Sequence, residues 1–243
     1  MAPTAKYQRV LLKISGEALK GDREYGIDPV FIINLADQVR DVHALGVEIG
    51  IVTGGGNIFR GASEAAAHMN RSVADSIGML GTVINSLMLQ DALERAGTAT
   101  RVLSAIQMSQ VCEPYIRRRA IRHMEKGRIV ILAGGTGSPY FSTDSASALR
   151  ANELGADILL KATKVDGVYT ADPAKDSSAR LLERISYQEA ISLDLRIMDT
   201  SALSLCRDNG IPIIVFNLFR PGNIRRAVCG EKIGTLVEGA RHA

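Results

Sequence analysis

The sequence predicts an α/β fold, a three-layer sandwich of helices on both sides of a central, mostly parallel sheet, and three observations carry that prediction. Mainly apolar runs of strand length recur around residues 9–14, 47–53, 98–104, 128–133, 157–163 and 212–217, and the run at 129–133 is unbroken, as in a strand buried on both faces. Stretches with helical spacing alternate with them. Glycine clusters stand where two strands end, Gly54-Gly55-Gly56 and Gly134-Gly135-Thr136-Gly137, which is where an open α/β sheet holds its ligand.

The chain is 243 residues long, 46% hydrophobic and 23% charged, enough for one large domain with a full core. No repeat or long linker divides it, so the reading is a single domain with two lobes of one continuous sheet, about 1–155 and about 156–243. Aromatic residues make up 5% and tryptophan is missing, which argues against a platform for stacking single-stranded nucleic acid. A net charge of +3 is too mild to indicate a nucleic-acid or membrane partner. Cys112, Cys206 and Cys229 are far apart and outside any CxxC, suggesting neither a disulfide framework nor a zinc site. Met1 to Tyr7 lacks the apolar core of a leader, and no apolar run approaches 18 residues, so a cytoplasmic protein is expected.

In chain order, the first strand carries Lys13 and closes at Ser15-Gly16. A charge at the C-terminal end of a buried parallel strand belongs in a crevice, and the Ser-Gly turn suits approach to a phosphate. A polar turn at 21–26 follows. Asp28-Pro29 then supplies an N-cap and an N1 proline for a helix to about Leu45, with Val30, Ile33, Val39, Val42 and Leu45 as its apolar stripe. The second strand empties into Gly54-Gly55-Gly56, whose entropic cost is justified if backbone must closely approach a ligand, and Arg60 lies just beyond.

Residues 70–96 read as one long helix with Ile77, Leu80, Ile84 and Leu87 in helical register and Met79, Val83, Met88 and Leu89 widening the apolar surface. Asp75 near its start suits a surface carboxylate or an acceptor for a ligand's hydroxyls equally well. A third strand at 98–104 and a helix at 115–125 follow, where Arg117-Arg118-Arg119 reads as a solvated face. The strand at 128–133 leads through the second glycine loop to a helix opening at Thr143-Asp144 and ending near Leu154. Lys161 repeats the placement of Lys13 at a strand end. An Asp166-Gly167 turn, a short strand and a polar loop at 170–177 come next, then helices at 187–193 and 199–209, the strand at 212–217 and an edge strand at 235–237.

Neither GxxxxGK[ST] nor GxGxxG occurs, and His-Arg-Asp and Asp-Phe-Gly are missing, which excludes P-loop, dinucleotide-fold and protein-kinase readings by motif. Two glycine loops, two strand-end lysines and nearby aspartates instead suit phosphoryl transfer, which asks the protein chiefly for donors around the migrating group.

The segments 13–17, 54–61, 135–144 and 161–173 closely resemble the bacterial uridylate (UMP) kinases of the amino-acid kinase superfamily, and the resemblance spans essentially the whole chain. It implies the amino-acid kinase fold and transfer of the γ-phosphoryl group of ATP to UMP, giving UDP and ADP, with Mg2+ accompanying ATP. Lys13, Ile14, Ser15, Gly16, Gly56, Arg60, Thr163, Tyr169 and Asp172 are then expected around ATP. Gly55, Asp75, Thr136, Gly137, Ser138, Pro139, Tyr140, Phe141, Ser142 and Thr143 are expected around UMP. Lys13, Arg60, Asp144, Lys161 and Asp199 form the catalytic set, with Asp144 orienting Lys13 or magnesium, and no metal ligand is directly assigned. Lys161 is a candidate for the task of the second lysine that acetylglutamate-type relatives place near a segment reading Arg196-Ile197-Met198-Asp199 here. The resemblance also implies a homohexamer activated by GTP through Gly21, Asp22, Arg23, Glu24, Tyr25 and Gly26 and inhibited by UTP, in pyrimidine nucleotide synthesis. A carboxylate- or carbamate-phosphorylating enzyme and a nucleotide-sensing regulator are the competing readings, and no nucleic-acid partner is expected.

Overall fold

The computed structural model describes residues 4–59, 68–171, 173, 175–176, 178–195 and 197–239. Arg60 and Asp172, both expected at the site, lie outside the described residues. Strands β1 (Arg9–Ile14), β2 (Glu48–Thr53), β3 (Thr100–Ser104), β4 (Glu113–Pro114), β5 (Ile129–Ala133), β6 (Ile158–Thr163), β9 (Arg184–Ser186), β10 (Ile213–Asn217) and β11 (Thr235–Glu238) form one sheet, in the order β4-β3-β5-β2-β1-β6-β10-β11-β9. β7 (Val168–Tyr169) and β8 (Leu181–Leu182) pair separately as a small antiparallel ribbon. The large sheet is parallel from β4 to β10; β11 runs antiparallel to β10 and parallel to β9. The expected edge strand at 235–237 is therefore an inner strand, because β9 covers it.

Helices α1 (Gly16–Leu19), α2 (Pro29–His43), α3 (Arg71–Arg95) and α8 (Asn223–Val228) pack with one face of the sheet, while α4 (Arg117–Glu125), α5 (Thr143–Leu154), α6 (Tyr187–Ser192) and α7 (Thr200–Asp208) pack with the other. Strand alternation divides the core. Val10, Leu12 and Ile14 of β1 and Ile158, Leu160 and Ala162 of β6 join the α2/α3 layer, while Leu11 and Leu159 join the α5/α7 layer. Lys13 and Lys161 share that second parity. They are direct cross-strand partners, so both side chains leave the sheet toward α5.

Local signals set most helix ends. The Asp28 carboxylate accepts from the amides of Val30 and Phe31, and Pro29 sits at the first helical position. Ser142, one residue before the expected start, caps α5 by accepting from the amides of Asp144 and Ser145. Gly155 ends that helix in the left-handed region, and Ser186 with Glu189 forms a capping box on α6. α1, β4, β8, β9 and α8 are two to six residues long and too short for hydrophobic periodicity to reveal.

Two expected apolar stripes are corrected. On α2 the buried side is Ile32, Leu35, Ala36, Val39 and Val42, whereas Val30 and Ile33 are 67% and 56% exposed. On α3 the inward face is Ala74, Gly81, Thr82, Val83, Asn85, Ser86, Leu89, Ala92 and Leu93, and the apolar residues Val73, Leu80, Ile84 and Met88 are exposed. Among the described residues α3 is the one helix long and apolar enough to cross a membrane, yet its small and polar face is buried against the sheet.

Candidate active site

The C-terminal ends of β1, β2, β5 and β6 converge where the chain, having built outward from β1 on one side, returns to add β6 on the other. Asp144, in the first turn of α5, reaches both lysines there. Lys13 Nζ lies 2.7 Å from Asp144 Oδ1 in an ion pair without hydrogen-bond alignment, and Lys161 Nζ donates to Oδ2 at 2.8 Å. Lys161 also donates to the Ile197 carbonyl. Burial acts to raise the Asp144 pKa, but the two ammonium charges outweigh it and hold the carboxyl below its ordinary value. Burial pushes Lys161 below its ordinary value, with Asp144 restoring only part and Lys13 adding repulsion. The result is two mutually repelling cations held side by side by one anion, a concentration of positive charge aimed at the crevice.

Backbone turns surround this cluster. The Gly54 amide donates to the Ile14 carbonyl at 2.8 Å, and a Cβ on Gly16 would come within 2.8 Å of the Gly56 nitrogen. The Ser15-Gly16 and Gly54–Gly56 turns are thus in direct contact. Gly55 rests on α3 so closely that a Cβ would meet the Gly78 carbonyl at 2.4 Å. The second glycine loop docks on the same helix through the Gly134 amide, which donates to Thr82 Oγ1 at 2.8 Å. The side chain of Ile14 faces the opposite layer, so Ile14 offers the crevice only its main chain.

Residues 136–143 run from the second loop into α5, with Tyr140 and Phe141 exposed. Tyr140 takes a positive φ of 73°, and its amide donates to Asp75 Oδ2 at 2.8 Å while Arg71 bonds both Asp75 oxygens at 3.0 Å. Asp75 therefore faces this loop, across from the lysines, and here its carboxylate holds a tight backbone turn. Asp199 serves as the N-cap of α7, accepting from the Ala202 amide at 2.8 Å, and its two oxygens also take the hydroxyls of Ser142, Ser145 and Ser201. It ties the N-terminus of α7 to that of α5, and both helix dipoles point their positive ends at the crevice.

On the other side of Lys161, Thr163, Val168, Tyr169, Ile197 and Val215 line a cleft of about 520 Å³. A second cavity of about 400 Å³ is bounded by Asp144, Lys161, Met198 and Asp199. Lys161 borders both. Among the described residues no three His, Cys, Asp or Glu side chains gather as a metal cage. The turn at 21–26 packs against the end of the first glycine loop, its Gly26 amide donating to the Asn57 carbonyl at 2.8 Å.

The structure thus joins Lys13, Ser15, Gly16, Gly55, Gly56, Asp144, Lys161 and Asp199 in one crevice, with Asp75 and residues 136–143 on one flank and Thr163 and Tyr169 on the other. Thr82, Asn85, Arg71 and the Ile197 carbonyl are additional supports. The first two carried a legible signal: Gly78, Gly81, Thr82, Asn85 and Ser86 form a small and polar stripe at helical spacing. The other two carried none, since one is a main-chain atom and the other an ordinary surface arginine.

The profile of the amino acid kinase family matches residues 8–217. A uridylate kinase of Paramagnetospirillum magneticum is 57% identical over 237 residues, covering 98% of this chain and 99% of that protein. The UMP kinase of Bacillus anthracis superposes with a TM-score of 0.93 at 41% identity, covering 96% of this chain and 97% of the other. That of Ureaplasma parvum gives 0.90 at 37% identity, covering 96% and 99%.

Proposed function

From the premise that the chain belongs to the amino acid kinase family, among its uridylate kinases, we propose that this crevice transfers the γ-phosphoryl group of ATP to UMP, yielding ADP and UDP for pyrimidine nucleotide synthesis. The observation that carries the reading is the Lys13–Asp144–Lys161 cluster set between two glycine loops that dock on one helix. Such a site neutralises charge on a migrating phosphoryl group and aligns attacker with leaving group, which is most of what the reaction needs.

In this reading Lys13 and the Ser15-Gly16 and Gly56 backbone hold ATP phosphates, with Thr163 and Tyr169 beside its base and ribose in the C-terminal lobe. Arg60 and Asp172 join them. UMP lies in the N-terminal lobe against Gly55 and residues 136–143, its ribose hydroxyls donating to Asp75. A carboxylate suits a diol and repels a phosphate, which fixes the direction of UMP. To take the ribose, Asp75 gives up or shares its bond to the Tyr140 amide. Asp144 acts through the lysines as a positioning group, because the attacking UMP oxygen is already anionic and needs no base. Lys161 stabilises charge as it develops.

Magnesium fits this site as an ion carried by the nucleotide. Asp144 is engaged by two lysines and Asp199 by four donors, and such ions usually take most ligands from phosphates and water. The ion supplies further neutralisation of the phosphate oxygens. We further infer a cytoplasmic homohexamer, activated by GTP through Gly21 to Gly26 and inhibited by UTP; the exposed apolar residues of α2 and α3 supply a face for subunit contact.

The test is ADP formation by purified protein with ATP and magnesium, with and without UMP. Product that depends on UMP is expected. Turnover with acetylglutamate or carbamate in its place, or none with any acceptor, defeats the proposal.

A further inference from the structure

Two buried amides at the foot of the first glycine loop are unused by the chemistry above. Asn57 ends that loop and Asn85 lies on the inner face of α3. Asn85 Nδ2 donates to the Gly54 carbonyl at 2.6 Å and to Asn57 Oδ1 at 2.7 Å, while Asn57 Nδ2 donates to Asn85 Oδ1 at 2.9 Å and to the Gly26 carbonyl at 2.8 Å. Each amide thus spends both N–H groups. The Gly54 and Gly26 carbonyls also fix which way the amides face, since turning either over would set oxygen against oxygen.

The pair touches three segments at once. The Gly26 amide donates back to the Asn57 carbonyl at 2.8 Å, so Asn57 clasps the 21–26 turn at two points. A Cβ on Gly16 would lie 2.6 Å from Asn57 Oδ1 and 3.0 Å from the Gly54 oxygen. The amide pair and the two glycine turns are packed to contact, and a displacement of one displaces the others.

We propose that Asn57 and Asn85 are positioning residues for phosphoryl transfer: one hydrogen-bonded unit that sets the spacing of the Ser15-Gly16 and Gly54–Gly56 turns and ties the 21–26 turn to both. The proposal rests on reading those turns as the phosphate cradle. Plain core filling would be met as well by an apolar pair, whereas paired amides specify a single arrangement. A cradle works through donors held to a fraction of an ångström, so loosening the pair costs turnover more than substrate affinity.

The experiment measures steady-state kinetics and backbone hydrogen exchange on the full chain carrying Asn57→Ala, Asn85→Ala or both. Each single variant is expected to lower kcat by at least about tenfold with KM for ATP and UMP within about threefold, the scale of a misplaced cradle. The double variant should match the worse single variant, because a broken unit cannot be broken twice. Exchange should quicken in peptides from 13–26 and 54–57 and stay unchanged in 129–133. Single variants with kcat within about threefold of the parent, or losses that multiply in the double variant, overturn the proposal. Exchange that is unchanged, or that quickens equally in 129–133, overturns it too. Should an alanine variant not fold, Asn85→Asp keeps the shape, loses the donors to Gly54 and Asn57, and carries the same expectation. If the parent makes no ADP with UMP, the functional reading fails, and the exchange pattern separately decides whether the amide pair sets the spacing of the turns.

Discussion

Asp144 owes its importance to being one anion shared by two cations. Lys13 is the clearer test of that arrangement: Lys13→Ala should lower turnover by at least ~10²-fold, the scale for losing one preorganised donor at developing charge. A loss under about fivefold removes it from the catalytic set. Lys161 makes a different prediction, in pH. Its folded-state pKa lies below the ordinary 10.5, chiefly through burial, so the folded protein gives up this proton before the unfolded chain does. The stability cost of keeping Lys161 charged is therefore felt through neutral pH and fades as pH rises toward 10.5. Turnover that needs the charge should fall along an alkaline limb below that value, and Lys161→Arg, which keeps its proton, should move the limb upward. A pH–rate profile with the same limb in both proteins rules this out. Asp144 behaves oppositely: its lowered pKa adds stability above the ordinary carboxylate value, lost as pH falls through the folded value.

Among the elements, α3 presents two faces of different character. Its inner face accepts both glycine loops through residues small enough to let backbone approach backbone. Gly55→Ala should abolish turnover, because the new methyl would sit 2.4 Å from the Gly78 carbonyl and neither group is a movable side-chain tip. Gly78→Ala is the matching control: nothing lies within 4 Å of its added Cβ, and losing a helix-interior glycine should raise stability by roughly 0.5–1 kcal/mol in a denaturant titration. Comparable activity in the two variants contradicts the docking of the loop on the helix.

For the whole molecule, the proposed assembly is tested on the outer face of α3. Leu80 and Ile84 are 47% and 46% exposed, beside Met88 on the same helix and Val30 and Ile33 on α2. A charge placed there should split an assembly that buries it: Ile84→Glu is expected to give a smaller species by sedimentation at unchanged helix content. An unchanged mass places the subunit contact elsewhere.

How much of this was legible in the sequence depends on the range of the forces involved. Strands β1, β2, β5, β6 and β10, the cap at Asp28, the start of α5 and the glycine exits are written in runs of neighbouring residues, so periodicity and turn chemistry reveal them. The facing of α2 and α3 was not, because apolar residues lie on more than one side of each helix and their spacing does not say which side the sheet takes. Nor was the covering of β11 by β9, a pairing between distant segments. The sequence by itself determined the α/β class, the glycine loops and the identity of the charged residues at strand ends. Only the tertiary structure decided that Lys13 and Lys161, 148 residues apart, are cross-strand partners on one Asp144 carboxylate, since register between strands is set by the packing of the whole sheet.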